Sequence, residues 1–188
     1  MKKSIITISY LVFLYGAVLA GGNHTPEKLH EVKRHKAGLF LGNTLVRGTR
    51  NSFNGKEQYV LAPTFGIDYE HRLSPKWAIG SYNELALLNI EVEQDHESFI
   101  KRENVFLFSA VVLYEFFPDI SIYAGTGFET DPHHTFWIRY FGAEYTFLKS
   151  MDWRIAFSAG YINKDSYDAF SFGLVLGRSF GKPVKGRK

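Results

Sequence analysis

A chain of 188 residues, 45% of them hydrophobic, is long enough for one domain with a sizeable core. It has no cysteine, which excludes a disulfide framework, thiolate chemistry and attachment as a lipoprotein. The formal charge of +3 sits at the chain ends: the stretch 37–180 holds 17 acids and 12 bases, so the body lacks the basic face that a nucleic-acid binder needs, and no nucleic-acid partner is expected.

In chain order, Met1 to Ala20 opens with two lysines, continues as an apolar run and ends on Val18-Leu19-Ala20. That is the pattern of a secretory signal cleaved after Ala20. The apolar run is short of the roughly 20 residues a spanning helix requires. Residues 21–36 follow as a charged leader, expected on the periplasmic side. From Ala37 onward the dominant signal is period-2 alternation, the mark of strands. In Tyr59 to Arg72, Tyr59, Leu61, Phe65, Ile67 and Tyr69 share one face; Ala62, Thr64, Gly66, Asp68 and Glu70 share the other. The scheme recurs at Ile120 to Glu129, at Trp153 to Tyr161 and at Phe170 to Phe180. Four less regular segments, Ala37–Val46, Trp77–Val92, Val105–Phe117 and Phe136–Phe147, bring the expected number of strands to eight. Parity on the third and sixth is open, because one bulge exchanges inward and outward residues. Ser74-Pro75-Lys76, Pro118-Asp119 and Lys149 to Asp152 read as tight turns. Arg47 to Lys56, Glu93 to Arg102, Asp131 to Thr135 and Asn163 to Asp168 read as polar loops. The basic tail 181–188 closes the chain on the turn side and is suited to anionic head groups.

A soluble barrel hides its large residues and shows polar ones. Here the large face would overfill the interior of an eight-stranded barrel, which is just wide enough for side chains. The small and acidic face therefore points inward and the aromatic face toward lipid. The expected fold is all-β: an eight-stranded antiparallel up-and-down transmembrane β-barrel over residues 37–180, with short turns on one side and longer loops on the other. An even strand number leaves both termini on the turn side, in the periplasm. With its signal, its strand number and a last strand ending on the aromatic Phe180, the chain resembles the small outer-membrane barrels of the OmpA and OmpX type. That resemblance implies residence in a Gram-negative outer membrane among lipid and lipopolysaccharide. It also implies insertion by the barrel-assembly machinery. A monomer is expected.

Candidate chemistry falls in two places. Asp68, Glu70, Arg72, Glu84, Glu115, Glu144 and Arg154 share the inward face; a narrow lumen favours a buried polar network there over a pore lining, and its surplus acids call for partners such as Tyr82 or Tyr123. On the loop side, Asp131, His133, His134 and Asp168 could assemble a rim site for acid–base work on lipid. Adjacent histidines point apart, which favours a solvated loop. With no paired zinc-ligand spacing and no glycine-rich phosphate loop, neither metal nor cofactor is expected. The leading expectation is a structural or surface-interaction barrel without enzymatic activity. The alternatives are a lipid A-modifying enzyme with the rim site and a narrow pore for small solutes.

Overall fold

The computed structural model describes residues 32–50, 57–95, 98–164 and 167–184, with the side chains of 47–50, 57, 58, 90–95, 98 and 99 excepted. The export signal expected over 1–20, most of the leader over 21–36 and the end of the tail lie outside those residues. The rest is eight strands in chain order: β1 (Lys33–Arg50), β2 (Glu57–Arg72), β3 (Trp77–Asp95), β4 (Ser98–Phe117), β5 (Ile120–Thr130), β6 (Thr135–Ser150), β7 (Trp153–Lys164) and β8 (Ala169–Pro183). Each pairs antiparallel with the next, and β8 returns to β1 from His35↔Phe180 to Val46↔Ala169, closing the barrel.

Alternation sets the two faces. On β2, Tyr59, Leu61, Phe65, Ile67 and Tyr69 are exposed, while Ala62, Thr64, Asp68 and Glu70 are buried. The same division holds on β3, with Trp77, Ile79, Leu85 and Leu87 outside and Ala78, Tyr82, Glu84 and Ala86 inside. On β6, Trp137, Phe141 and Tyr145 face out and Ile138, Tyr140 and Glu144 face in. The two open parities are thereby decided. On β3 the irregularity lies above Ala86, between Ala86 and Asn89. Asn83 faces outward because its amide donates to the Ile67 carbonyl and the Ser81 hydroxyl. A register shift between Thr146 and Leu148 leaves Phe147 and Leu148 both exposed on β6.

The exposed apolar surface girdles the barrel, far beyond the few hundred Å² a soluble monomer shows. From Tyr59 to Tyr69 it spans about 33 Å along the strand, or about 25 Å of height at a tilt near 40°, the height of a lipid-facing band. A soluble barrel with inward aromatics is excluded as the fold.

Several boundaries differ from expectation. Strand β1 runs from Lys33 to Arg50 instead of Ala37 to Val46, β6 runs to Ser150 instead of Phe147, and β8 runs to Pro183 instead of Phe180. The largest difference concerns Glu93–Arg102, expected as a loop: β3 and β4 stay paired from Asn89↔Glu103 to Asp95↔Ser98. Charged residues interleaved with Ile90, Val92 and Ile100 hide the strand signal there. Pairing of β4 with β5 stops at Phe106↔Thr130, and pairing of β2 with β3 stops at Thr64↔Ala86. The upper part of β3–β4 is therefore a two-stranded ribbon unpaired with β2 on one side and β5 on the other. Pro63 explains where β2 and β3 part. The Ile67 carbonyl points to β3, where Asn83 bonds it. By strand alternation the Pro63 nitrogen points the same way, and it carries no hydrogen to donate.

Candidate functional site

The lumen is organised in three levels, starting at the turn end. Lys36 on β1 reaches across it. Its ammonium donates to Glu70 at 2.7 Å and to Glu144 at 2.9 Å. The Tyr82 hydroxyl lies 3.2 Å from both of the same carboxylates. Beside this group, Arg72 donates to Glu115 at 2.6 Å and to the Pro75 carbonyl at 3.1 Å. Asp68 is buried and Arg154 half-buried at this level. Lys36 is absent from the sequence candidates because it was assigned to the leader. Its inward parity with Gly38 and Phe40 is the signal that finds it.

At mid-height three tyrosines cross the barrel edge to face. Ring centroids of Tyr82 and Tyr123 are 5.1 Å apart, and those of Tyr123 and Tyr140 are 5.2 Å apart. The Tyr140 hydroxyl donates to Glu84 at 2.6 Å, and Ser171 donates to its other oxygen at 2.8 Å. Gly142 and Gly160 are required opposite these rings, since a Cβ at either would overlap Tyr123 or Tyr140. The interior is thus less uniformly small than alternation alone implies. Phe40, Val111, Leu113, Ile138, Ile162 and Val175 are also buried in it.

At the loop end Arg102, fully buried, sits between two acids. Its Nη2 donates to Glu129 at 2.7 Å, and its Nε lies 2.8 Å from Asp131 Oδ2, an ion pair off the N–H axis. Lys164 pairs with the other Glu129 oxygen at 2.7 Å, and Tyr167 donates to Glu129 at 2.8 Å. Burial, with the Glu129 carboxylate, pushes the Tyr167 phenol up, so it stays a donor. The Arg102 guanidinium stacks on Phe136 at 4.7 Å and the Lys164 ammonium over Tyr167 at 3.8 Å. Arg102 falls inside the segment read as a loop, and Lys164 at the edge of another, which hid both cations from the sequence reading.

The four rim candidates are not assembled into one array. Asp131 turns inward: Oδ1 accepts from the backbone N–H groups of His133 and His134, each at 2.7 Å, and Oδ2 faces Arg102. His133 and His134 are exposed, with ring centroids 6.3 Å apart. Asp168 accepts from Asn163 at 2.9 Å. Among the described residues no three metal-ligating side chains cluster. His96-Glu97-Ser98 also has a His-x-Ser spacing, and His96 and Glu97 lie outside the described residues.

No family model matches the chain, and no curated protein does. Among solved structures, Ail, the attachment invasion locus protein of Yersinia pestis, superposes with a TM-score of 0.54 at 13% identity, covering 79% of this chain and 99% of that one. A structure of the Yersinia pestis outer membrane protein Ail in a phospholipid bilayer nanodisc gives 0.45 at 14% identity, covering 77% and 99%. The de novo designed barrel TMB2.3 gives 0.42 at 14% identity, covering 82% and 99%. With eight strands in strict up-and-down order, an apolar girdle outside and the Ail likeness, the architecture of this chain is that of the small eight-stranded outer-membrane β-barrels.

Proposed function

We propose that the chain is an exported, outer-membrane barrel without enzymatic activity, with a lumen closed by its own side chains and a surface-interaction role carried by the β3–β4 ribbon. The observation that carries this is the stack of paired groups through the lumen: Lys36 between Glu70 and Glu144, Tyr140 on Glu84, and Arg102 between Glu129 and Asp131. Each level spends most of its polar groups on internal partners, with Arg102 Nη1 the buried donor left over among the described residues. That suits a plug, since groups serving a permeating solute would be left facing an open path. The ribbon has strand edges free of barrel pairing, as does β2 above Thr64, and exposed edges and tips are where recognition by strand addition or loop contact operates. Its stretch 89–103 carries five acids and two bases, so a cationic partner surface is the matching chemistry. Insertion by the barrel-assembly machinery, a lipid and lipopolysaccharide surround and a monomeric state complete the reading.

A rim enzyme is disfavoured, because the Asp131 carboxylate is occupied by the turn and by Arg102. The test uses purified barrel in planar bilayers and a deletion strain. The proposal expects no stepwise conductance at high protein load and unchanged lipid A masses on deletion. Reproducible conductance steps would replace the plug with a pore, and altered lipid A masses would restore the enzyme. Replacing residues 91–101 by a two-residue turn is expected to keep the barrel folded and abolish surface attachment.

A further inference from the structure

The turn end of the β1–β8 seam is built in an unusual way. Lys33 pairs with Pro183 and His35 with Phe180, so β8 carries one residue more than β1 across this step. Within the extra stretch Gly181 has φ +88, a left-handed conformation that glycine adopts without strain. A Cβ at Gly181 would come within 2.7 Å of the His35 ring. The bulge and the missing side chain together seat that ring on the outer wall. There it stacks on Phe180 at 5.3 Å and 17°, and its Nδ1 lies 2.7 Å from the Tyr69 hydroxyl and 3.4 Å from His71 Nδ1.

Past the bulge the strands leave a recess of about 530 Å³ lined by Arg34, His35, Leu73, Lys182, Pro183 and Val184. That is the size range of small-molecule sites. Among the described residues its lining holds two permanent cations and an imidazole, and no acid. Among the described residues no carboxylate pairs with Arg34 or Lys182, whereas neighbouring Lys33 is held by Asp152 at 2.5 Å. The recess lies at the height of an aromatic girdle. Tyr69, Trp77, Trp153 and Phe180 are exposed there, and Arg178 lies over the Trp153 ring at 5.4 Å. Apolar wall above, cations below and a cleft between them match one kind of occupant.

We propose that this recess binds the phosphodiester head group of an anionic bilayer lipid in the leaflet at the turn end. Arg34 and Lys182 bracket the phosphate, the His35 imidazole donates to it, and the acyl chains lie along the exposed β1–β8 wall of Leu39, Leu41, Leu174 and Leu176. This rests on the membrane reading above, and the test separates the two.

The full chain, folded in dodecyl maltoside micelles, is titrated with phosphatidylglycerol, phosphatidylcholine or inorganic phosphate. Bound lipid is counted by native mass spectrometry. One phosphatidylglycerol retained per barrel in preference to phosphatidylcholine is the expected result. The preference should fall about tenfold or more in R34Q/K182Q. It should fall likewise in Gly181→Val, which displaces His35, and it should persist in the same-end control Lys76→Gln. Equal loss in Lys76→Gln, equal retention of both lipids, or displacement by inorganic phosphate at the lipid's own concentration would overturn the site. If the protein shows the heat-dependent gel shift of a closed barrel but no lipid preference, the recess proposal alone fails. If that shift is absent, the membrane reading fails and takes this proposal with it.

Discussion

The Arg102 guanidinium touches Glu129 and Asp131 and rests on the Phe136 ring, in a site closed to water. Removing one partner from such a group leaves two carboxylates buried against a single remaining cation, Lys164. Breaking a buried pair in this way costs about 3–5 kcal/mol. Arg102→Met is therefore expected to lower the unfolding free energy in lipid vesicles by that amount, as read by tryptophan fluorescence in urea. A loss under about 1 kcal/mol would mean that water already reaches the site. Gly142 poses the opposite problem, an excess of volume. Gly142→Ala drives a methyl group into the Tyr123 ring, and overpacking of this kind costs about 1–3 kcal/mol. The same substitution in a Tyr123→Leu background should cost less, because the ring contact is relieved and only the approach to the Ala159 carbonyl, 2.5 Å from a Cβ at this position, remains. Equal costs in both backgrounds would place the strain in the backbone instead.

Among the elements, β2 and β3 are instructive because their ladder stops halfway up the barrel. Both strands continue, β2 paired to β1 as far as Arg50↔Glu57 and β3 paired to β4 as far as Asp95↔Ser98. Pro63 lies one residue above the last shared pair, Thr64↔Ala86, and has no donor for β3. Pro63→Val restores the N–H. Amide exchange in micelles is then expected to show protection extending to residue 63, with the barrel otherwise unchanged. Fast exchange at residue 63 would place the cause in the β3 irregularity between Ala86 and Asn89. Freed from β2 on one side and β5 on the other, the ribbon is joined to the barrel mouth by the Arg102 contacts with Glu129 and Asp131.

At the scale of the whole molecule, closure removes every free sheet edge below the Thr64↔Ala86 pair, as a bilayer demands of strands that cross it, whereas above that pair β2 and β3 run unpaired with each other through the upper half of the apolar band. A closed ladder of this kind resists detergent. The unboiled protein is expected to migrate faster than the boiled one on a denaturing gel. A single unshifted band from a soluble fraction would contradict the outward placement of the aromatic face. The Arg102→Met and Gly142→Ala variants should keep the shift but lose it at lower temperature, since they weaken the lumen and leave the ladder intact.

Local period-2 alternation was enough to place the eight strands, the tight turns and the two faces of all but the third and sixth strands, because each depends on residues within about ten positions of one another. It also put Asp68, Glu70, Glu84 and Glu144 on the inward side. The partners of those acids were not legible. Lys36 and Glu144 are 108 positions apart, and their bond exists only because closure sets β1 and β6 across one narrow lumen. Arg102 and Lys164 were hidden for a related reason. Composition marks charged segments near loops as solvated, yet a register fixed by pairing with neighbouring strands carries these two cations inside, where Glu129 and Asp131 neutralise them. Alternation along a strand decides which face a side chain takes, and only the closed sheet decides which side chain it meets.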